Sequence, residues 1–363
     1  MKFCILGAGL MGKAVAYDLL RQSSTEVVTI ADGHESQLAS AKQLLNDDRL
    51  QVKVFNASNP SDVENLFRGS VSVVGAVHYG FNLGFTRAAI NTKTHFCDLG
   101  GNSVIVDEQL KLNKAAETAG ISVIPDCGLA PGMVSVLVKW GTEKFSWADT
   151  VKIRVGGLPQ NPKNTLKYER LFSIEGLINE YIEPVRVLHN GKIQTIEPLT
   201  ELEEIEFPFP FGTLEAFTTS GGVSTLVDTY KTRLKNLDYK TIRYPGHCQV
   251  IRSMYELGLF SGEARKTTAS LIEKHIPLCT EDVTLVKIIF EGNSKKHELV
   301  IIDTAQPPFT SMMRMTAFPA SIIAQLQANK KITELGVHTQ ENCVPAEMFI
   351  EELGKRKILI SGI

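Results

Sequence analysis

The first dozen residues constrain the fold more than any other stretch of the chain. An apolar run at residues 2–6 leads directly into Gly7, Gly9 and Gly12, and a helical pattern follows. A second apolar run ends at Asp32, twenty residues after Gly12. This order predicts a dinucleotide-binding βαβ unit, in which the glycines allow a tight turn, close approach to a pyrophosphate and close helix packing. The alternative is a glycine-rich turn in another kind of α/β protein.

Asp32 indicates which dinucleotide binds. A carboxylate at this position can accept hydrogen bonds from both ribose hydroxyls of NAD, and it would repel the 2′-phosphate of NADP. Gly33, His34 and Glu35 follow, so the next residues include no Arg or Lys to receive that phosphate. NAD is therefore the expected cofactor. The alternative role of Asp32 is to cap the next helix.

The composition narrows the classes of function. The 363 residues include 38 Lys plus Arg and 40 Asp plus Glu, so nothing in the charge favours nucleic acid or a membrane surface as partner. No apolar run approaches the ~20 residues of a transmembrane helix, and the early glycines interrupt any signal peptide. The six cysteines lie far apart without a C-x-x-C pair. We expect reduced thiols in a cytoplasmic protein and no metal site.

Strands and helices alternate through the first part of the chain. Apolar runs predict strands at residues 51–55, 71–77, 95–97 and 121–124, in addition to the first two. Helical spacing predicts helices at residues 35–46, 83–91 and 107–119, and a capping box at Ser61 opens another. This alternation is typical of an α/β fold with a doubly wound parallel sheet of the Rossmann type.

The pattern changes after residue 130. A strand at residues 151–155 should end in the segment Gly156-Gly157-Leu158-Pro159, and Asn190-Gly191 predicts a hairpin between two short strands. Further strands are expected at residues 214–218, 240–244, 284–290 and 298–302, with few helices between them. We predict a Rossmann domain at 1–130, an inserted, mainly antiparallel α+β domain at 131–309 and a helical segment at 310–363 that returns to the first domain.

The edge of the predicted parallel sheet supplies the candidate cofactor residues. Ligands of a doubly wound sheet bind beyond the carboxyl ends of its strands. His78 and Tyr79, which follow one such strand, should lie near the nicotinamide ribose. The full set expected to contact the cofactor is Gly7, Gly9, Leu10, Met11, Gly12, Asp32, Ser58, His78, Tyr79, Asp98 and Gly100.

Several motifs together resemble the saccharopine dehydrogenase family, most closely its lysine 6-dehydrogenase branch. The resemblance covers nearly the whole chain. The motifs of the second domain are the more specific ones, because Rossmann glycines occur in many enzymes. The segments that carry the resemblance are residues 6–13, 98–101, 125–133, 155–159, 172–177, 214–222 and 240–247.

The resemblance implies a reaction. It implies NAD-dependent oxidative deamination of the ε-amino group of L-lysine to the semialdehyde, which can cyclise to the piperideine carboxylate. Saccharopine reductases of the family usually carry Asp where this chain has Ala130, and often Cys where it has Val155, which argues against that larger substrate. Asn56 stands where relatives often place Asp near the adenine. Saccharopine dehydrogenase activity is the alternative within the family, and an idle NAD-binding sensor or scaffold is the alternative from another class.

The substrate residues are expected in the second domain. Arg243 is the candidate for binding the substrate α-carboxylate, because a guanidinium group binds a carboxylate through two hydrogen bonds. Thr219 and Ser220 precede a pair of glycines, where hydroxyls and open amides could meet the substrate. The alternatives are a surface arginine at a strand end and an ordinary turn.

Three residues are candidates for catalysis. Asp126 follows a predicted strand and could act as general base or ammonium partner, or it could cap the helix near Pro131. Tyr168 could bind the substrate or pack in the core. His247, four residues after Arg243, is the other candidate for proton transfer, or it is structural. The resemblance also implies a homodimer or higher homo-oligomer, built through the second domain.

Overall fold

The computed structural model describes all 363 residues as two compact units. The first unit comprises Met1–Trp140 and Met313–Lys357, and the second comprises Gly141–Met312 and Ile358–Ile363. No helix in either unit combines the length and the apolar character that crossing a membrane requires.

Fifteen strands form two sheets. In chain order they are β1 Lys2–Leu6, β2 Val27–Asp32, β3 Leu50–Val54, β4 Ser72–Gly75, β5 His95–Asp98, β6 Ser122–Ile124, β7 Thr150–Pro159, β8 Val185–His189, β9 Lys192–Ile196, β10 Glu203–Phe207, β11 Gly212–Thr218, β12 Asn236–Arg243, β13 Asp282–Gly292, β14 Lys295–Thr304 and β15 Gly336–Val337.

Fourteen α-helices accompany these strands. They are α1 Leu10–Leu20, α2 Glu35–Leu45, α3 Pro60–Phe67, α4 Asn82–Thr92, α5 Ser103–Leu110, α6 Asn113–Ala119, α7 Met133–Lys144, α8 Ile174–Ile182, α9 Leu226–Tyr230, α10 His247–Glu256, α11 Gly262–His275, α12 Ser311–Ala328, α13 Gln340–Cys343 and α14 Ala346–Lys355.

The first unit contains the predicted Rossmann-type sheet. Its seven strands lie in the order β15-β6-β5-β4-β1-β2-β3, and every neighbouring pair is parallel. Strands covered on both faces should be almost wholly apolar, and β4 is accordingly buried along its whole length. The sheet order reverses between β1 and β4, which is where such folds bind their ligands. The predicted fold class is confirmed.

The C-terminal segment completes this sheet. β15 pairs in parallel with β6, with Gly336 opposite Ser122. Gln327 of α12 bridges three strands: it accepts a hydrogen bond from the Ser72 hydroxyl (2.8 Å) and donates to the carbonyls of Phe96 and Ser122 (3.1 Å each). A buried amide that satisfies three polar groups at once fixes the position of its helix. The predicted return of the chain to the first sheet is confirmed.

The second unit contains a mixed sheet of eight strands. Six of them lie in the order β10-β11-β12-β7-β13-β14, and β8 and β9 attach beside β12. Only β12 and β7 run parallel, so the expectation of a mainly antiparallel sheet holds apart from this pair. The hairpin β8–β9 turns at Asn190 and Gly191, whose φ angles of 50° and 75° suit the predicted turn type. β12 lies inside the sheet and ends at Arg243.

Three predicted boundaries are wrong for local reasons. The helix expected to open at Ser61 begins at Pro60, because the Asn59 side chain accepts a hydrogen bond from the Ser61 N–H and caps it. The helix expected at 107–119 is two helices, α5 and α6, and the first starts earlier because Asn102 caps it. β7 continues past Gly156 to Pro159 because its glycines stay paired with β13.

The sequence pattern also misses the helices of the second unit. α11 is polar on almost all sides and buries only Thr268, so it lacks the apolar stripe that identifies a helix. α8 is amphipathic, but its nine residues lie in a domain in which few helices are expected. α8 and the end of β12 contribute Tyr181 and Arg243 to a buried polar cluster of the second unit.

Candidate functional site

The glycine loop of the first unit is shaped to admit a phosphate group. Gly7 has a φ of 110°, a backbone conformation that favours glycine. A Cβ atom at Gly12 would collide with the carbonyl oxygen of Gly7. Gly9 instead faces open space and precedes α1 without any side-chain cap. Leu10 and Met11 begin the helix, so their free N–H groups and the helix dipole are available to an anion at Gly9.

Asp32 at the end of β2 is held as a carboxylate by hydrogen bonds. Its two oxygens accept from the backbone N–H of Ala8 (2.7 Å) and of His34 (2.9 Å), and the His34 ring lies 3.1 Å away. Partial burial opposes ionisation, but these bonds and the His34 ring outweigh it and lower the pKa of Asp32. The first contact also ties Asp32 to the glycine loop. A negative group therefore stands where the resemblance places the cofactor ribose.

Lys13 of α1 carries a positive charge that interacts with the Asp32 carboxylate. Its ammonium donates to Gln37 Oε1 (3.2 Å) and Ser40 Oγ (3.0 Å) of α2. Burial lowers the pKa of Lys13, and the charge of Asp32 partly restores it. The side chain is 8% exposed. Lys13 is thus engaged between two helices, although it lies within electrostatic reach of Asp32.

Polar side chains follow β3 and β4, as expected. Ser58 is exposed, and its N–H donates to the side-chain oxygen of Asn56 (2.9 Å). The rings of His78 and Tyr79 lie 4.1 Å apart just beyond β4. The Tyr79 ring covers Gly101, where a Cβ atom would come within 3.0 Å of Tyr79 Cδ1. Their contact with the cofactor remains a prediction.

Asp98 shapes the loop that carries Asp126. The Asp98 carboxylate is fully buried and accepts from the N–H of Gly100 (2.8 Å), the Gln109 amide (2.8 Å) and the N–H of Asp126 (3.2 Å). Burial nevertheless raises the pKa of Asp98 to about 6. Asp126 has a left-handed backbone with φ 59°, and a Cβ atom at Gly100 would collide with its carboxyl group. Asp98 therefore has three donors from its own unit and positions Asp126.

A buried polar chain in the second unit ends at Arg243. His247 Nδ1 lies 3.0 Å from the Leu166 carbonyl, and His247 Nε2 lies 3.0 Å from the Tyr181 hydroxyl. Arg243 Nε donates to the same hydroxyl (3.3 Å), and its Nη1 donates to the Ile242 carbonyl (3.0 Å). A carbonyl can only accept, so Nδ1 carries the imidazole proton and Nε2 accepts from Tyr181. Each bond in this chain has one possible direction, which fixes the orientation of the guanidinium.

The charge state of this chain is equally constrained. Burial, followed by the charge of Arg243, lowers the pKa of His247 to about 3, so the ring is neutral at physiological pH. Both of its nitrogens are occupied by Leu166 and Tyr181. The predicted role of His247 in proton transfer stays a prediction, and it would require one of these two bonds to be released. Arg243 is only 3% exposed, yet no carboxylate forms an ion pair with it.

Two further side chains surround Arg243. The Tyr168 ring faces the guanidinium at 5.2 Å, a cation–π distance. Burial raises the pKa of Tyr168, so its hydroxyl stays protonated. Glu180 of α8 precedes Tyr181 and is only partly exposed. Burial raises the pKa of Glu180 to about 7, although the charge of Arg243 acts to lower it.

Thr219 and Ser220 already have partners within the second unit. The hydroxyl of Thr219 lies 2.6 Å from that of Thr241, two residues before Arg243 on β12. The hydroxyl of Ser220 donates to the Asn179 carbonyl (3.2 Å). Their predicted contact with substrate would require these bonds to be shared or replaced.

The structure thus brings Tyr168, Arg243 and His247 together in the second unit, while Asp126 lies in the first. Sequence reasoning misses Tyr181 and Glu180. One signal could have found them: α8 buries an apolar face at Ile174, Leu177, Ile178 and Tyr181. A carboxylate beside such a face, next to its only tyrosine, is unusual enough to be a candidate.

The glycine loop on a seven-stranded parallel sheet, joined to a mixed-sheet unit, defines a dinucleotide-binding α/β protein. Residues 3–124 match the saccharopine dehydrogenase NADP binding domain, and residues 128–359 match the saccharopine dehydrogenase C-terminal domain. The chain belongs to the saccharopine dehydrogenase family, which confirms the resemblance seen in the sequence.

Curated relatives show distant similarity. The mitochondrial alpha-aminoadipic semialdehyde synthase of Mus musculus is 23% identical over 274 residues, which cover 72% of this chain and 29% of that protein. Saccharopine dehydrogenase [NADP(+), L-glutamate-forming] of Pyricularia oryzae is 24% identical over 307 residues, covering 79% of this chain and 64% of that protein. The chain therefore spans less than a third of the mouse relative.

Solved structures share the fold. Apo saccharopine dehydrogenase (L-Glu forming) of Saccharomyces cerevisiae superposes with a TM-score of 0.81 at 15% identity, over 99% of this chain and 98% of that one. Homospermidine synthase of Legionella pneumophila, solved with NAD, gives a TM-score of 0.70 at 11% identity, over 99% and 90% of the two chains. At these identities the likeness concerns the fold alone.

Proposed function

We propose that the protein catalyses the NAD-dependent oxidative deamination of the ε-amino group of L-lysine, giving the semialdehyde, ammonia and NADH. The observation that carries this proposal is Arg243: a buried guanidinium, oriented by Tyr181 and stacked on Tyr168, that has no carboxylate partner. A buried cation without an anion is costly. The carboxylate of an amino-acid substrate would supply the missing partner.

The residues of the first unit fit a dinucleotide. The open space at Gly9 and the uncapped start of α1 suit a pyrophosphate, and the ionised Asp32 suits the two ribose hydroxyls of NAD. When bound, the nicotinamide would accept the hydride that leaves the substrate. We assign NAD and not NADP on the ground of Asp32, although the P. oryzae relative is named as NADP-dependent.

The protein's own groups have separate tasks in this scheme. Arg243 binds the α-carboxylate of the substrate and thereby sets how far the substrate side chain extends from it. Tyr168 shields the guanidinium from water. His247 and Tyr181 position Arg243 and do not transfer protons. Asp126 is the assigned general base, because the reacting amine must be deprotonated before a hydride can leave its carbon. Asp98 and Gly100 hold the Asp126 loop in place.

Saccharopine oxidation is the second candidate. The names of the curated and solved relatives favour it, whereas Ala130 and Val155 disfavour it by the family pattern. Saccharopine also carries amino-acid head groups, so Arg243 would serve either substrate. The two activities differ in the group attached to the reacting nitrogen.

One assay distinguishes these functions. NADH absorbance at 340 nm is followed with L-lysine, with saccharopine and with neither, each with NAD and NADP in parallel. We expect NADH from L-lysine and release of ammonia. Activity with saccharopine alone would replace the proposal by the second candidate. NAD binding without turnover of either compound would favour a sensor or scaffold protein.

The same family membership leads us to propose a homodimer or higher oligomer built through the second unit. Light scattering should then give a mass at least twice that of the 40.0 kDa chain. A monomeric mass would reject this part of the proposal.

A further inference from the structure

Glu180 of α8 is a half-buried acidic residue that precedes Tyr181, whose hydroxyl binds Arg243. Its charge reaches Tyr181 on the same helix, Tyr168 on the preceding loop, and Arg243 and Tyr239 on β12. The carboxylate accepts no hydrogen bond from any of them, although the Glu180 carbonyl accepts one from the Ser220 N–H (3.0 Å). The backbone of Glu180 is therefore fixed while its carboxylate lacks a donor.

Glu180 and Arg243 interact electrostatically, but they form neither an ion pair nor a hydrogen bond with each other. Two opposite charges that served only stability would be expected to close into a hydrogen-bonded pair, as Arg154 and Asp238 do at 2.8 Å in the same unit. Here the guanidinium bonds to Tyr181 and Ile242 instead. The cluster therefore contains one cation and one carboxyl group, and neither is hydrogen-bonded to a group of opposite charge.

A single ligand chemistry satisfies both groups. An α-amino acid carries an ammonium and a carboxylate on the same carbon atom, so the two charges are close together and opposite in sign. The ammonium offers three N–H donors to a carboxylate, and the carboxylate accepts the two-pronged contact of a guanidinium. A ligand with only one of these charges would leave the other protein group unpaired.

We infer that Glu180 binds the α-ammonium group of the amino-acid substrate while Arg243 binds its α-carboxylate. This inference rests on the proposed function, and it assigns recognition of the amino-acid head group to the second unit. The end of the substrate that reacts is then recognised elsewhere. Glu180 is thus a specificity residue for the head group and not an acid–base catalyst.

Glu175 provides a matched control on the same helix. It is exposed and forms a surface ion pair with Arg265 (2.8 Å), so its carboxylate already has a partner. Glu175→Gln and Glu180→Gln each remove one charge from α8 and leave the size of the side chain nearly unchanged. Only the second should alter ligand binding.

The experiment is calorimetric titration of three ligands into the NADH-bound full chain. L-Lysine carries both head groups, 6-aminohexanoate lacks the α-amine, and cadaverine lacks the carboxylate. Glu180→Gln should weaken L-lysine and cadaverine by about ten- to a hundredfold and leave 6-aminohexanoate nearly unchanged. Arg243→Ala should show the opposite selectivity between the two analogues. Glu175→Gln should bind all three like the native protein.

Two results would overturn the inference. Equal weakening of L-lysine and 6-aminohexanoate by Glu180→Gln would place Glu180 at the reacting amine or in the framework. No weakening of either would remove it from the site. Loss of NADH affinity or a lower melting temperature in Glu180→Gln would show misfolding. Glu180→Asp would then decide between ligand binding and a structural role. Its shorter carboxylate should retain part of the L-lysine affinity, whereas a structural role predicts no difference between L-lysine and 6-aminohexanoate.

The experiment distinguishes failure of the head-group site from failure of the proposed reaction. L-Lysine that binds in a Glu180-dependent way without forming NADH would refute the proposed reaction and preserve the head-group site. NADH formation that is indifferent to Glu180 would refute the head-group site and preserve the reaction.

Discussion

Two buried arginines lie on adjacent strands of the second sheet and have opposite surroundings. Arg154 of β7 is 1% exposed and forms ion pairs with Glu203 and, at 2.8 Å, with Asp238. Arg243 of β12 is 3% exposed and meets a tyrosine hydroxyl, a carbonyl and an aromatic ring. The first charge is neutralised by the fold, and the second is not.

The difference indicates what each arginine is for. Burying a charge is costly, and a chain that serves stability alone provides an anion for it. Arg154 follows that pattern, and its pKa is raised because the two carboxylates outweigh the effect of burial. Arg243 is buried and oriented, and although it interacts with Glu180 electrostatically, no carboxylate forms an ion pair with it. Its ion-pair partner is therefore expected to arrive with a ligand.

The largest effect should come from removing Arg243. Arg243→Ala should lower kcat/KM for L-lysine on the order of thirtyfold to several thousandfold, because a charge-assisted contact of roughly 2–5 kcal/mol is lost. NAD affinity should barely change. Arg243→Lys should rescue only part of the loss, since an ammonium cannot make the two-pronged contact.

Cadaverine is the control for this variant, because it lacks the α-carboxylate. It should be a poor substrate for the native enzyme and should lose little more in Arg243→Ala. If steady-state kinetics show equal losses for lysine and cadaverine, Arg243 is a structural residue and the contrast with Arg154 disappears.

Arg154 should show the reverse behaviour. Arg154→Met should lower the free energy of unfolding by about 3 kcal/mol, because Asp238 loses its cation and Glu203 keeps only Lys240. Urea denaturation measures this loss. Arg186→Met, which removes an exposed pair with Asp228, is the control and should cost no more than about 1 kcal/mol. Equal midpoints for Arg154→Met and the native protein would contradict the structural role of Arg154.

Asp32 is a charged group whose partners include two backbone N–H groups, in contrast to the two arginines. Asp32→Ala should shift the NADP/NAD preference by roughly tenfold or more towards NADP, because the repulsion of the 2′-phosphate is removed and the ribose contact is lost. Fluorescence titration of NADH and NADPH measures the shift. Asp47→Ala, in the same unit and paired with Arg49, should leave the preference unchanged. A native protein that already prefers NADPH would contradict the role given to Asp32.

The smallest effect concerns pH. With a pKa of about 7, Glu180 should be about a tenth ionised at pH 6 and about nine-tenths at pH 8, so the affinity for L-lysine should rise up to tenfold across this range. Calorimetry at several pH values checks this, and Glu180→Gln should flatten the profile. An affinity that falls as the pH rises would contradict the assignment of Glu180.

The other groups around Glu180 do not titrate in this range. Tyr168, Tyr181 and Tyr239 have raised pKa values and stay protonated. His247 of α10, with a pKa of about 3, stays neutral. Arg243, whose pKa is raised, stays charged. The guanidinium of Arg265 of α11 bonds to Asn179 beside Glu180 (2.7 Å).

The sequence predicts the first unit better than the second. The glycine loop, α1 and Asp32 are specified by contiguous residues whose spacing has a direct geometric meaning. The cluster around Arg243 joins residues from a loop, two helices and a strand that are far apart in the chain. Tyr181 and Glu180 carry no motif of their own, so only the folded chain shows that they meet Arg243.

The same contrast applies to roles within the predicted set. His247 reads as a catalytic histidine in the sequence, because its type and its position after Arg243 suggest proton transfer. Its bonds to Leu166 and Tyr181 depend on distant segments, and they occupy both ring nitrogens of a residue whose pKa is lowered. Residue type can thus be read locally, whereas protonation state depends on the tertiary environment.

The late strand β15 has a consequence for biosynthesis. A ribosome releases residues 1–140 long before residues 313–357, so the Rossmann sheet emerges with the edge of β6 unpaired and with Ser72 and Ser122 lacking Gln327. The intervening residues 141–312 form nearly all of the other unit and are complete earlier. The inserted unit can therefore fold before the parallel sheet is complete. The unpaired edge of β6 stays exposed to misassembly until residues 313–357 have been synthesised.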